Sequence, residues 1–370
     1  MDRNIVIVVS ALNMGGAQRV VSILANYWSK KGYSVKLICT HTVQIQSFYS
    51  LEEKVDIVFL QDIPYIKKTN FLNLIRKLYL LRKELLKAEP DVIVSFLTRV
   101  NVATALASIG LKSSFYLCER SWPPFRSLSV SFLWIYRILF KNVTQFIVQT
   151  ETSKSWFNEK LYAKNVRLIS NPVSYPLPFQ SGQYPTPGEI IADDKKLIIS
   201  CGRLNKEKQF DLLIKAFSKV QTKFPDWRLV ILGEGEEREN LDNLVQALEA
   251  DHAIKLPGAS GNMSEWYERG DLFVLSSKVE GFPNALLEAM AYGLPCISFD
   301  CDTGPRDMIQ KGFNGLLVNP IEHQLGLEKA LSKLISDGEL RDKFSKNSIL
   351  LREKHSFEKI MKDWDNILGQ

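Results

Sequence analysis

Two carboxylates, Glu280 and Glu288, flank the segment Gly281-Phe282-Pro283-Asn284-Ala285-Leu286-Leu287. An apolar run ends at Leu275, Gly281 and Pro283 make a sharp loop, and a helical pattern begins near Asn284. That order predicts free backbone amides at the helix start, suited to a pyrophosphate or a sugar. Glu280 precedes the helix, and Glu288 sits in its early turns, placed to accept hydrogen bonds from hydroxyls. Carboxylates around amides fit an uncharged polyol joined to a phosphate, and equally fit a plain pair of acids favoured by the helix dipole. Upstream, Arg203 and Lys208 lie in the loop GRLNKEK after the strand Leu197–Cys201. Arg offers a bidentate grip on phosphate and Lys a point charge. Gly233 and Gly235 end the next strand, where they let a flat ligand approach or simply make a turn. Near the start of the chain, Gly15 and Gly16 separate a strand from a helix, the setting in which amides meet a phosphate. Their spacing is not G-x-G-x-x-G, which weakens a nicotinamide or flavin reading.

The elements that must hold these residues alternate. Strands are predicted at Ile5–Val9, Val35–Cys39, Asp56–Leu60, Val92–Phe96, Ser114–Leu117, Gln145–Val148 and Val166–Ile169, with helical patterns between most of them. A second strand–loop–helix–strand opening begins at Leu197, followed by strands near 228–232, 253–256, 272–275, 295–299 and 315–318. Strands alternating with helices imply parallel sheets, and two fresh openings imply two of them. The expected domains are residues 1–172, a linker over 173–196 rich in Pro and Gly, residues 197–355, and a C-terminal helix over 356–370 that packs back on the first domain.

Composition narrows the class. The chain has 370 residues, 45% of them hydrophobic and 24% charged, so a large core is available and disorder is not expected. No uncharged apolar run reaches 18 residues, which argues against a membrane-spanning helix. The five cysteines form no CxxC pair and only four histidines are present, so neither a zinc site nor a disulfide framework is indicated and a cytoplasmic setting fits. The net charge of +6 divides into +12 on residues 1–172 and −6 on the remainder. A basic half implies an anionic partner.

Taken together, EGFPNALLEA, GRLNKEK, the Gly15-Gly16-Ala17 loop and Asn171-Pro172 resemble the retaining glycosyltransferases of family 4, across essentially the whole chain. The segments Ser95–Asn101 and Cys118-Glu119-Arg120 are similar to bacterial members that extend lipid-linked glycans or polysaccharide repeat units. The resemblance implies an α/β protein of the GT-B fold, two Rossmann-like domains facing across a cleft. It implies that Arg203 and Lys208 hold the diphosphate of a nucleotide-sugar, that Glu280 and the amides from Gly281 to Leu286 contact the transferred sugar, and that Glu288 binds the ribose. Many relatives carry a His where Glu119-Arg120 stands here, on the acceptor or the donor-sugar side.

The resulting expectation is a metal-independent hexosyltransferase moving a hexose or N-acetylhexosamine, with retention, from a UDP-sugar to a hydroxyl of a lipid-linked saccharide. No cofactor, metal or nucleic acid is expected. Asp300-Cys301-Asp302 is formally a D-x-D, but it follows a late strand and reads as a donor-side loop. Cations at Lys67, Lys68, Arg76, Lys77, Arg82, Lys83 and Lys87 alternate with an apolar set, Leu72, Ile75, Leu78, Leu81 and Leu85, expected to pack on the sheet. With only Glu84 opposing them, Lys67, Lys68, Arg76 and Lys77 are expected to touch acceptor phosphate and the anionic inner face of the cell membrane. Trp122–Phe125 would add a shallow apolar anchor, while most aromatic residues from Phe132 to Phe140 read as core. The alternatives are a non-catalytic nucleotide-sugar or polyanion-binding protein, and a sugar-phosphate synthase on the same fold.

Overall fold

The computed structural model of the protein describes residues 3–13, 15–41, 47–60, 71–122, 136–179 and 182–369. It divides into two compact units, Met1–Asn171 with Met361–Gln370, and Pro172–Ile360.

The first unit carries the strands β1 (Asn4–Val9), β2 (Ser34–Cys39), β3 (Asp56–Phe59), β4 (Val92–Phe96), β5 (Ser114–Cys118), β6 (Gln145–Val148) and β7 (Val166–Leu168). They form one parallel sheet in the order β3-β2-β1-β4-β5-β6-β7. Among the helices that accompany it are α1 (Gly16–Lys30), α2 (Phe71–Ala88), α3 (Thr98–Ala107) and α4 (Glu151–Leu161). The apolar run from Ile5 to Val9 is buried throughout, as a strand covered on both faces requires. The strand order reverses between β1 and β4, so the crevice at their C-terminal ends is where such a sheet receives ligands. Gly15 and Gly16 follow β1, Thr98 follows β4, and Glu119-Arg120 follows β5.

The second unit holds β8 (Lys196–Cys201), α5 (Phe210–Gln221), β9 (Trp227–Leu232), α6 (Arg238–Ala247), β10 (Ile254–Gly258), α7 (Met263–Arg269), β11 (Leu272–Leu275), α8 (Asn284–Ala291), β12 (Cys296–Phe299), β13 (Gly315–Val318), α9 (His323–Ser336) and α10 (Gly338–Ser348). Its parallel sheet runs β10-β9-β8-β11-β12-β13. Successive residues feed opposite cores, as the period of two demands: Ile198, Leu229, Leu272 and Val274 face one layer, Leu197, Ile199, Val230 and Phe273 the other. The Pro-rich segment expected to be a linker is partly built into this unit, where Val173, Leu177 and Ile191 are buried.

The last helix, α11 (Phe357–Ile367), crosses the division of the chain. Within the first unit, Trp364 stacks edge-on against Trp28 at 5.8 Å, and Asp365 accepts from the Tyr27 hydroxyl at 2.6 Å and pairs with Lys31 at 2.7 Å. The buried faces of these residues explain why the C-terminus stays with a sheet laid down at the N-terminus.

Candidate active site

The switch point of the second sheet lies between β8 and β11, which pair through Leu272↔Ile198 and Phe273↔Ile199. The loops leaving these neighbouring strands therefore emerge side by side, although their residues are far apart in the chain. Lys208, from the first loop, reaches Glu280, from the second, at 2.6 Å. The same Glu280 oxygen accepts from the Ser277 hydroxyl at 2.6 Å. A third loop, after β12, adds the Thr303 hydroxyl, which donates to the Glu280 carbonyl. Ser276 Oγ donates to the Lys208 carbonyl at 2.8 Å, and the Lys278 amide to the Glu207 carbonyl at 2.8 Å, so the two loops are tied through backbone as well. Burial alone would push the Lys208 ammonium down, but the adjacent Glu280 carboxylate outweighs it and holds the pKa above the ordinary lysine value. Lys208 is thus a cation held in an ion pair with Glu280.

Arg203 stands apart from that pair. It is exposed, and its side chain makes no hydrogen bond or ion pair among the described residues. Its loop is nonetheless rigid, because Leu204 donates to the Glu234 carbonyl and accepts from the Glu237 amide, both at 2.9 Å. Here the glycines show their use. A Cβ on Gly233 would lie 1.9 Å from the Gly202 carbonyl oxygen, and one on Gly235 2.3 Å from that of Leu204. The close approach that demands glycine at 233 and 235 is made by the chain's own backbone, which packs two site loops together. At Gly15 the demand is weaker, since a Cβ would meet only the movable end of Gln18.

Helix α8 starts at Asn284 with Pro283 as its N-cap residue and no side-chain cap bond, leaving its first amides to be met otherwise. Gly281, Asn284 and Ala285 are half-buried there, and Phe282, Pro283 and Leu286 are buried. Glu288, one turn in, is buried and accepts from the Tyr267 hydroxyl at 3.2 Å. The arrangement presents a cation, two carboxylates and a helix start on adjacent loops, a set able to bind a diphosphate next to hydroxyl-rich groups. The D-x-D residues are otherwise engaged: Asp300 accepts from Arg306 Nε at 2.9 Å and Cys301 is buried. Among the described residues no group of three or more His, Cys, Asp or Glu is placed to hold a metal.

In the first unit Glu119 is buried and accepts from Thr98 Oγ1 and Ser121 Oγ, both at 2.8 Å, and from two backbone amides. Burial pushes its carboxyl up. The Arg120 guanidinium donates to Asn171 Oδ1 at 2.7 Å and lies over the Phe96 ring. Both residues, expected on the acceptor or the donor-sugar side, are buried at the C-terminal end of β5.

Helix α2 departs from its expected packing. Leu81 and Leu85 are core residues, but Ile75 is exposed, together with Leu74, Tyr79 and Leu86. Arg82 is not on the free cationic face; it caps α3 by donating to the Ala107 and Ile109 carbonyls at 2.8 Å each. Arg76 is exposed and Lys77 half-buried, while Lys67, Lys68 and Phe125 lie outside the described residues. Tyr136 and Phe140 pack edge-on at 4.2 Å in the core.

Comparison with known proteins gives this geometry a context. The family profile "Glycosyltransferase Family 4" matches residues 14–175, and "Glycosyl transferases group 1" matches residues 187–350. The chain is 31% identical to an uncharacterized glycosyltransferase of Haemophilus influenzae over 96% of each chain. It is 26% identical, over 98% of this chain and 97% of the other, to the Campylobacter jejuni α-1,4-N-acetyl-D-galactosaminyltransferase that acts on GalNAc-α-(1→4)-GalNAc-α-(1→3)-diNAcBac-PP-undecaprenol. The crystal structure of Anabaena HepE in complex with UDP superposes with a TM-score of 0.79 at 16% identity, covering all of both chains, which places the fold as GT-B. With both sheets, both profiles and a full-length relative in agreement, the chain belongs to glycosyltransferase family 4.

Proposed function

We propose that this protein transfers a hexose or N-acetylhexosamine from a UDP-sugar to a hydroxyl of a lipid-linked saccharide, with retention at the anomeric carbon and without a metal. The observation that carries this reading is the meeting of Lys208 and Glu280 on adjacent strand ends, beside a helix start and Glu288. In the reaction the bond between the anomeric carbon and the diphosphate oxygen breaks. The acceptor hydroxyl forms the new bond from the same face and gives its proton to the departing diphosphate. Lys208, Arg203 and the α8 amides stabilise the charge that grows on that diphosphate, the part a metal plays in other transferases. Glu280 holds the transferred sugar and Glu288 the ribose.

A lipid-linked acceptor requires the enzyme to reach a membrane. Among the described residues no helix is long and apolar enough to cross one. Helix α2 supports contact from the surface instead: Leu74 and Tyr79 are 61% and 66% exposed among Arg76, Lys77, Lys83 and Lys87. Exposed apolar side chains interleaved with cations suit an anionic interface at the inner face of the cell membrane. The acceptor class is supported by the undecaprenol-linked substrate of the Campylobacter relative, and UDP by the ligand of HepE.

A calorimetric screen of UDP-, GDP- and ADP-sugars tests the donor. UDP-sugars should bind in excess EDTA and the others should bind more weakly. Preference for GDP- or ADP-sugars, or binding that needs Mn²⁺, would overturn the donor assignment or the metal-free mechanism.

A further inference from the structure

Tyr267 is fully buried on α7, a helix to which the sequence assigns no part in the site. Its hydroxyl lies 3.2 Å from Glu288 Oε2, 3.5 Å from the Ala285 carbonyl and 3.5 Å from Cys201 Sγ. A phenol has one proton to donate, and a carboxylate is the strongest of these three acceptors. Burial, and then the neighbouring Cys201 and Glu288, push the Tyr267 phenol well above its ordinary value, so it stays a donor. The ring is held on two sides, by Phe273 at 6.1 Å and by Tyr292 at 5.5 Å. Tyr292 is itself fixed: its hydroxyl accepts from the Leu177 amide at 2.8 Å, and its ring packs edge-on against Tyr175 at 4.9 Å. The hydroxyl that meets Glu288 therefore cannot swing away without disturbing a packed aromatic row.

We infer that Tyr267 is a positioning residue for the donor nucleotide: it fixes the Glu288 carboxylate in the orientation that reads the ribose hydroxyls. The inference rests on the donor site proposed above. A glutamate on the first turns of a helix has several open rotamers, and one rigid neutral donor on a single oxygen selects among them. Tyr267 touches no ligand in this scheme. It acts through Glu288, so its effect must disappear when Glu288 or the ribose hydroxyls are removed.

That dependence sets the test. The full-length protein, Tyr267→Phe, Glu288→Gln and the double variant are titrated calorimetrically with UDP and with its 2′,3′-dideoxy analogue. Phenylalanine keeps the ring against Phe273 and Tyr292, so folding is retained. Tyr267→Phe should weaken UDP about five- to tenfold, consistent with one net hydrogen bond of about 1 to 1.4 kcal/mol. It should leave the dideoxy analogue unchanged, and it should add nothing in the Glu288→Gln background. In turnover, the donor KM should rise with kcat unchanged. Equal weakening of UDP and the analogue, an undiminished effect in the Glu288→Gln background, or no effect at all would overturn the positioning role. If Glu288→Gln itself leaves ribose discrimination intact, the ribose assignment fails and the inference falls with it. A loss in Glu288→Gln without one in Tyr267→Phe overturns the inference alone.

Discussion

Replacing Glu280 by Gln removes one charge and almost nothing else. The Gln oxygen can still accept from Ser277 and from Lys208, so what disappears is the attraction between a carboxylate and an ammonium 2.6 Å apart. The two side chains are 11% and 22% exposed, between the surface pairs worth about 0–1 kcal/mol and the buried pairs whose rupture costs about 3–5 kcal/mol. With the hydrogen bonds retained, a loss of about 1.5 kcal/mol is expected, or a fall in Tm of roughly 3–6 °C for a unit of this size. The same change should tighten UDP. In the wild type the diphosphate and Glu280 compete for one ammonium; in Glu280→Gln the diphosphate has it alone, and about 1.5 kcal/mol is roughly tenfold in Kd. Transfer should nevertheless fall at least 100-fold, since the group that holds the sugar has lost its charge. The assay is a thermal scan and a UDP titration of wild type, Glu280→Gln and Lys208→Met, together with transfer activity. Weaker UDP binding in Glu280→Gln, or effects of the two substitutions that simply add when a Glu280→Gln/Lys208→Met double variant is put through the same measurements, would refute the competition.

Arg203→Ala should leave the unfolding stability within about 0.5 kcal/mol of wild type, because the exposed guanidinium has no protein partner among the described residues, yet cost roughly 10²–10³ in kcat; normal turnover would remove Arg203 from the diphosphate. Replacing Arg76, Lys77, Lys83 and Lys87 by Gln should abolish salt-sensitive binding to vesicles containing acidic lipid while sparing UDP affinity, each cation contributing about 1 kcal/mol; unchanged co-sedimentation would leave α2 a solvated face. Burial pushes the thiols of Cys39, Cys118, Cys201 and Cys301 up to about 12, so iodoacetamide at pH 8 should leave them unmodified in the native protein and label them after denaturation. Gly233→Ala should destabilise the second unit strongly, since its Cβ collides with the Gly202 carbonyl; a soluble variant of wild-type Tm would contradict the packed-loop account.

The strands were largely legible because buried parallel strands are continuous apolar runs, and those from Ile5 to Val9 and from Leu197 to Cys201 stand out in the chain. Helices α6 and α7 were not, being short and polar in sequence, RENLDNLVQA and MSEWYER. Tyr267 was missed with α7, although the adjacent Trp266 and Tyr267 were a signal that one face of a polar segment is buried. Each member of the Lys208–Glu280 pair was visible in its own motif, but their contact depends on β11 inserting beside β8, which no local pattern encodes. Ile75 misled because helical periodicity gives the face of a residue and not how far along the helix the core extends: Leu81 and Leu85 are buried, while Ile75 is 48% exposed. Arg82 misled in the opposite sense, since a cation on a basic helix was already committed to carbonyls of α3.

The most direct test of the central claim is to follow the anomeric signals by proton NMR while the protein acts on UDP-sugars and undecaprenyl-diphosphate-linked saccharides in excess EDTA. The account predicts release of UDP matched by a new glycosidic bond with the configuration of the donor, lost in Lys208→Ala and in Glu280→Gln. An inverted product, transfer that requires added Mn²⁺, or undiminished transfer in both variants would contradict it.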